Sequence, residues 1–292
     1  MAGIATIVEV QIQKLTERGM ELDWGIEKAK EILLDIGYYR LGFYWNPFEI
    51  DRDHNFKKGT KFSIVVQLYY LDVDLKNILN KALNRIEINL RTQLIYTVSN
   101  EYPQYSTWFA NKRFMESKFV DEFPIYYNDR FKDKNKPIKK HHVNYPNDIY
   151  APAWKTLEFL TFGTIYSISY SLKDENLKLR IARYYGFNSL RTFQNFFQTI
   201  IFIRNICAHS AILYDCNTPK AISSTPFFRF NNNNKHSLDS AIKVILYFLQ
   251  RISVDRKNKI EQEIVDLFSS LENNEDIMEI ITNKIGYIKN QN

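Results

Sequence analysis

The chain has 292 residues, enough for one large domain or two ordinary ones with a substantial buried core. Nine glycines and eight prolines are few for this length, which argues against a fold of many strands joined by tight turns. Two cysteines exclude a disulfide framework. The net charge of +6 suits a polyanionic partner but is also common among ordinary proteins.

Membrane and export signals are not evident in the sequence. The N-terminal stretch MAGIATIVEVQIQKLTERG lacks a basic start followed by an unbroken apolar block. No later window reaches about 18 apolar residues without charges. We therefore expect a cytoplasmic protein with no membrane partner.

Apolar residues at helical spacing dominate the first third of the chain. They predict a helix over 26–36 that stops at Gly37, a residue that commonly ends helices. The segment 46–60 clusters Pro, Asp, Asn and Gly and is typical of a loop or small hairpin. Residues 62–98 contain neither Gly nor Pro, and their leucine-rich stripe predicts one long helix, or two with a break near Asp72.

A polar, basic stretch, residues 129–148, interrupts the apolar pattern and predicts a long surface loop or insertion. Its closely spaced cations would attract phosphates and release counterions if the segment were an RNA-binding arm. A solvated loop without a ligand explains the same composition, so both interpretations stay open. The cations concerned are Arg130, Lys132, Lys134, Lys136, Lys139 and Lys140.

Helical spacing returns in the second half of the chain. Ser189 is a suitable N-cap for a helix that runs to about Leu213. The other predicted elements are a helix over 154–172 interrupted or bent near Gly163, a helix over about 175–185, a loop over 215–235, and helices over about 237–251 and 256–272. The sequence therefore predicts an all-α fold, a helical bundle.

The segment RNICAH, residues 204–209, carries the most informative polar residues. Three apolar residues of the same helix share one face, and Arg204 takes the next position on it; they are Phe193, Phe197 and Ile200. A charge in an apolar stripe is costly unless it is paired. Asn205 and His209 are four residues apart and are expected on the same side of the helix. Three polar groups are thus expected to converge.

The spacing of Arg and His alone is a weak signal, because this chain contains a second match. Arg229 and His236 also stand a few residues apart, but they lie in a loop that includes the run NNNN and has no apolar helix face. We interpret this second pair as coincidental.

The chain resembles the AbiD/AbiF group of abortive-infection proteins, which are similar to the HEPN superfamily of helical ribonucleases. The matching pieces lie between about residues 12 and 215 and end with IRNICAH. The others are IGYYRLGFYWNPF, FKKGTKF, LYYLDVDLKNIL, RIEINLRTQL and LEFLTFGTIY. The resemblance implies one helical domain over 1–292 with a HEPN-like core over about 62–215, an N-terminal helical region over 1–61 and additional C-terminal helices over 236–292.

The resemblance also implies RNA cleavage without a metal or another cofactor, in which a 2′-hydroxyl attacks the adjacent phosphate. His209 would move the proton, Arg204 would neutralise charge on the phosphoryl oxygens, and Asn205 would orient the histidine or the phosphate. HEPN sites form where two such motifs face one another, and this chain has one credible copy. A homodimer is therefore expected.

Three residues of the long helix are candidates for a supporting role: Arg85, Glu87 and Arg91. Glu87 and Arg91 stand at i and i+4, a spacing that is also typical of an ordinary surface ion pair. In the functional interpretation, Glu87 pairs with Arg204 or positions the site.

Two other functions remain open besides the ribonuclease. The first is an RNA-binding module that holds a structured noncoding RNA, with cleavage suppressed or absent. The second is a helical scaffold for protein interactions.

Overall fold

The structure, a computed structural model, describes residues 5–209 and 211–288. These ranges contain fourteen α-helices and no extended strand, which confirms the all-α prediction. In chain order the helices are α1 (Val8–Glu17), α2 (Ile26–Ile36), α3 (Tyr38–Trp45), α4 (Phe62–Glu101), α5 (Ser117–Glu122), α6 (Asp129–Lys134), α7 (Lys136–Asn144), α8 (Ala153–Thr156), α9 (Phe162–Ser171), α10 (Glu175–Tyr184), α11 (Leu190–Ala208), α12 (Leu238–Ile252), α13 (Val254–Ser269) and α14 (Glu275–Ile280).

Helix α4 is the central element of the bundle. It runs without interruption for 40 residues, or about 60 Å, so the predicted long helix is confirmed and there is no break near Asp72. Helices α3, α11, α12 and α13 all pack against it. Its leucine-rich stripe is buried under these neighbours, and one continuous apolar cluster extends from Ile12 to Ile285.

The N-terminal region follows the predicted pattern. Helix α2 ends at Gly37, whose φ of 94° is a backbone conformation that favours glycine. The segment 46–60 contains a small hairpin-like turn, in which the Ile50 amide donates to the Asn55 carbonyl at 2.8 Å. Helices α1 and α3 were not specified individually by the sequence.

The basic segment 129–148 is not the long loop that its composition predicts. It forms helices α6 and α7, which pack against each other, while α7 also packs against α8. Ile138 is fully buried, and the His141 side chain is buried too, with its Nε2 atom 3.0 Å from Asp148. The few apolar contacts of this segment are spaced too sparsely to give a clear helical period, so the prediction was wrong here.

Helix α11 begins as predicted and ends earlier. The Ser189 hydroxyl accepts from the Thr192 amide at 3.3 Å and caps the first turn. The helix ends at Ala208 rather than near Leu213, and His209 has extended backbone angles. The predicted helix crossed Ser210, which lies outside the described residues.

The helices on either side of α11 meet the expected ranges with small differences. The predicted interruption near Gly163 is found just before that residue, because α8 and a short 3-10 turn end at Phe159 and α9 begins at Phe162. The C-terminal helices α12 and α13 pack on each other and on α4. Helix α14 was not predicted. The expected domain limits include residues 1–4 and 289–292, which lie outside the described ranges.

The hydropathy of the helices can be compared with the expectation of no membrane partner. No helix in the described part of the chain is both long enough and apolar enough to cross a membrane.

Candidate active site

Arg204 lies on α11 at the end of a buried apolar face. The three residues that precede it on this face, Phe193, Phe197 and Ile200, are all buried. The Arg204 side chain is 32% exposed, and its Nε atom is 3.3 Å from Oε2 of Glu87 on α4. The guanidinium therefore stands at the edge of the apolar stripe rather than in its centre, and it has the acidic partner that such a position requires.

The Glu87 carboxylate binds two arginines. Its other oxygen, Oε1, accepts from a terminal nitrogen of Arg91 at 3.0 Å, and that same nitrogen donates to the Leu160 carbonyl at 3.2 Å. The side chains of Glu87 and Arg91 are only 13% and 8% exposed, so this is not the ordinary surface pair that the i, i+4 spacing also allowed. One carboxylate between two guanidiniums leaves a net positive charge, which suits a phosphate.

Asn205 and His209 are both exposed at the end of α11. Their side chains make no hydrogen bond or ion pair with the described residues. Helical spacing relates them only in part, because Asn205 lies within α11 whereas His209 follows its last residue and has extended backbone angles. The helix rises about 6 Å from Arg204 to its last residue, Ala208, and His209 follows directly, so the three residues lie at the same end of α11.

Asp72 of α4 anchors the chain just after His209. Its fully buried carboxylate accepts from the amides of Leu213 and Tyr214 at 2.9 and 2.7 Å. The Tyr44 hydroxyl donates to it at 2.9 Å, and the Lys76 ammonium lies 2.6 Å away. Asp72 thus connects α3, α4 and the segment that carries His209.

From the sequence, Asp72 was considered only as the place of a possible break in the long helix, although a signal for a buried anchor was present. Its position falls within the leucine-rich stripe of α4, between Leu71 and Leu75, and Lys76 follows four residues later. A charged residue within a buried stripe requires partners, by the same argument that drew attention to Arg204.

Burial keeps the hydroxyls and thiols near this anchor protonated. Burial, together with the neighbouring charge of Asp72, raises the pKa of Tyr44 far above its ordinary value, so the phenol is a hydrogen-bond donor. Burial also raises the pKa of the Cys207 thiol to about 12, and that of Cys216 to about 12. Neither cysteine is a thiolate at neutral pH, which makes both poor nucleophiles.

Arg85 lies on the side of α4 that faces away from Glu87, apart from Arg91 and Arg204. At 100° per residue it lies about 160° around α4 from Glu87. Its charge instead faces Tyr185: burial raises the pKa of that tyrosine well above its ordinary value, and Arg85 opposes the rise. Tyr185 donates to Asn89 at 2.6 Å on that side of α4.

The second Arg and His pair has a different environment. The His236 ring contacts the Thr218 carbonyl at 2.7 Å, and the Thr218 amide donates to the His236 carbonyl. His236 therefore joins the two ends of the loop between α11 and α12, whereas Arg229 is exposed. This geometry favours a structural role for the pair.

The six cations of α6 and α7 form a separate group. No hydrogen bond or ion pair among the described residues joins them to Glu87, Arg204 or His209. Within residues 5–209 and 211–288, no cluster of three or more His, Cys, Asp or Glu side chains is placed to hold a metal ion.

Glu87→Gln is expected to lower the free energy of unfolding by about 1–3 kcal/mol. The amide offers one acceptor oxygen where the carboxylate offers two, so Arg91 or Arg204 loses its partner. Urea denaturation measures the change. Glu101→Gln on the same helix is the matched control, because Glu101 pairs with Arg180 at 3.0 Å on the exposed surface. We expect this control to change stability by less than about 1 kcal/mol. Equal effects of the two substitutions would contradict the paired-arginine arrangement.

A comparison with protein families matches the model described as Abi-like protein to residues 31–215, more than half of the chain. The chain belongs to the Abi-like family of abortive-infection proteins. The matched segment of this Abi-like protein includes Asp72, Glu87, Arg204 and His209, and it ends before α12. No curated protein and no solved structure gives a significant match to the chain.

Proposed function

We propose that this Abi-like protein is a metal-independent endoribonuclease of an abortive-infection system, related to the AbiD/AbiF group and the HEPN superfamily. The observation that carries the proposal is the accessibility of Arg204, Asn205 and His209 at one end of α11. The Arg204 ion pair uses Nε, and its two terminal nitrogens have no hydrogen-bond partner among the described residues. A guanidinium held in this way presents two donors to phosphate oxygens.

The chemistry follows from these groups. An imidazole removes the proton of the 2′-hydroxyl as the 2′-oxygen attacks the adjacent phosphorus. The bond from phosphorus to the 5′-oxygen breaks, and that oxygen takes a proton from a second imidazole. The products are a 2′,3′-cyclic phosphate and a 5′-hydroxyl. Arg204 stabilises the negative charge that gathers on the phosphoryl oxygens, and Asn205 orients the histidine or the phosphate.

The reaction needs one base and one acid, and each chain supplies one His209. We therefore propose that two copies face each other at the ends of their α11 helices, in the HEPN manner. Ile201 and Ala208 lie within about 60° of Arg204 around α11, and Ile88, 40% exposed, follows Glu87 on α4. These small and apolar side chains around the polar groups suit a two-fold contact. Light scattering should then give twice the chain mass of 34.8 kDa.

The test compares purified wild type with the Arg204→Ala/His209→Ala variant on total RNA in the presence of EDTA. We expect wild type alone to produce fragments with 2′,3′-cyclic phosphate ends. Equal cleavage by the two proteins would overturn the site. If wild type carries bound RNA and cleaves none, the function is that of an RNA-binding module for a structured noncoding RNA.

A further inference from the structure

The cations of α6 and α7 divide into two groups. Lys132 and Lys139 are neutralised by Asp129 and Asp133, at 3.5 and 3.0 Å. The other four are exposed and, among the described residues, have no ion pair; they are Arg130, Lys134, Lys136 and Lys140. Two of them stand at i and i+4 on α6 and two at i and i+4 on α7, so each helix presents one cationic face.

Apolar residues of both helices pack inward. Ile138 lies about 160° around α7 from Lys136 and Lys140 and is fully buried, and Phe131 of α6 is partly buried against the core. Tyr127 ties the unit together, because its hydroxyl lies 2.9 Å from Nε2 of His142 and accepts from the Ala151 amide at 2.9 Å. The cationic faces are therefore held outward on a packed unit, and Val143, the exposed apolar residue of α7, lies among the cations rather than on a separate apolar face.

Two exposed aromatic side chains belong to the same packed unit as these cations. Tyr145 follows the last residue of α7, and Trp154 belongs to α8, which packs against α7. Their residues are 56% and 54% exposed, although Ala153 and Thr156 on the same short helix are fully buried. Exposed rings and unpaired cations on one surface are the combination that binds single-stranded nucleic acid, through base stacking and phosphate contacts.

We propose that the surface formed by α6, α7 and α8 binds single-stranded RNA. The four unpaired cations contact phosphates, while Trp154 and Tyr145 stack on bases. The choice of RNA among polyanions rests on the proposed function.

The first test measures the salt dependence of binding to a fluorescent 12-nucleotide 2′-O-methyl oligouridylate. The variant is Arg130→Gln/Lys134→Gln/Lys136→Gln/Lys140→Gln. Each phosphate contact on a single strand contributes about 0.7 to the slope of log K against log salt, so four lost contacts lower the slope by about 2.8. The control removes the same charge from exposed positions outside α6–α8, as Lys220→Gln/Arg229→Gln/Arg256→Gln/Lys259→Gln, and should keep the wild-type slope. Equal slopes for the two variants would overturn the proposal.

The second test concerns stacking. Trp154→Ala should weaken binding of the same oligonucleotide about 5- to 150-fold, the range expected for one stacked base. Trp24→Ala is the matched control, since Trp24 is 44% exposed in the turn before α2. If both tryptophan variants bind alike, the aromatic part of the surface is wrong.

The oligonucleotide separates this proposal from the proposed nuclease. It lacks the free 2′-hydroxyl that the cleavage reaction needs, so binding is measured whether or not the protein cuts RNA. Loss of slope in the variant, together with no cleavage of total RNA by wild type, would overturn only the nuclease. Binding of the wild type to phosphatidylserine vesicles without binding to the oligonucleotide would overturn the RNA surface in favour of a membrane partner.

Discussion

Asp72→Ala is expected to lower the free energy of unfolding by about 3–5 kcal/mol, the usual effect of removing one partner of a buried ion pair. The Lys76 side chain is only 9% exposed and loses its counter-charge. The amides of Leu213 and Tyr214 lose their acceptor, and so does the Tyr44 hydroxyl. Buried donors left without partners add to the effect. Urea denaturation, followed by circular dichroism and tryptophan fluorescence, measures the loss.

Asp74→Ala is the control for this experiment. Asp74 stands two residues further along α4, is exposed, and has no ion pair among the described residues. Surface substitutions of this kind change stability by about 0.5 kcal/mol or less. A loss below about 1 kcal/mol for Asp72→Ala would show that the carboxylate does not anchor the segment after α11.

His209→Ala is expected to slow RNA cleavage by about 10²- to 10⁴-fold, the range that general acid and base catalysis contributes. The side chain is exposed and makes no hydrogen bond with the described residues, so stability should stay within about 0.5 kcal/mol of wild type. The measurement is a single-turnover cleavage rate, with the folded state checked by urea denaturation.

His54→Ala provides the matched histidine control. The His54 side chain is 56% exposed and contacts Glu49 at 2.9 Å, in the hairpin that precedes α4. We expect cleavage at the wild-type rate. If the two histidine variants cleave RNA equally well, His209 has no role in the reaction.

Much of the helical framework could be predicted because it follows local rules. The apolar stripe without Gly or Pro defines α4, Gly37 ends α2, and Ser189 caps α11. The segment 129–148 could not be predicted in this way. Its helices are short, and Ile138 alone among its residues is fully apolar and fully buried, so long-range packing rather than local periodicity specifies them.

Only part of the candidate site could be predicted from the sequence. The cost of an unpaired charge in an apolar stripe pointed to a partner for Arg204, and Glu87 was among the residues considered. The contacts of Asp72 join residues 141 and 142 positions apart, which no local pattern reveals. The end of α11 was predicted too late because Ile212 and Leu213 continue the apolar spacing of the helix. The contacts of Leu213 and Tyr214 with Asp72, which hold the chain after the helix, are not visible in that spacing.

The uninterrupted α4 also fixes the relative orientation of two contacts. Glu87 and Asp72 are 15 residues apart on one helix, or about 22 Å, and at 100° per residue they lie within about 60° of each other around it. One side of α4 therefore binds both the Arg204 side chain and the amides of Leu213 and Tyr214. Inserting one residue into α4 between Asp72 and Glu87 would rotate one carboxylate by about 100° relative to the other, so the two contacts could no longer form together.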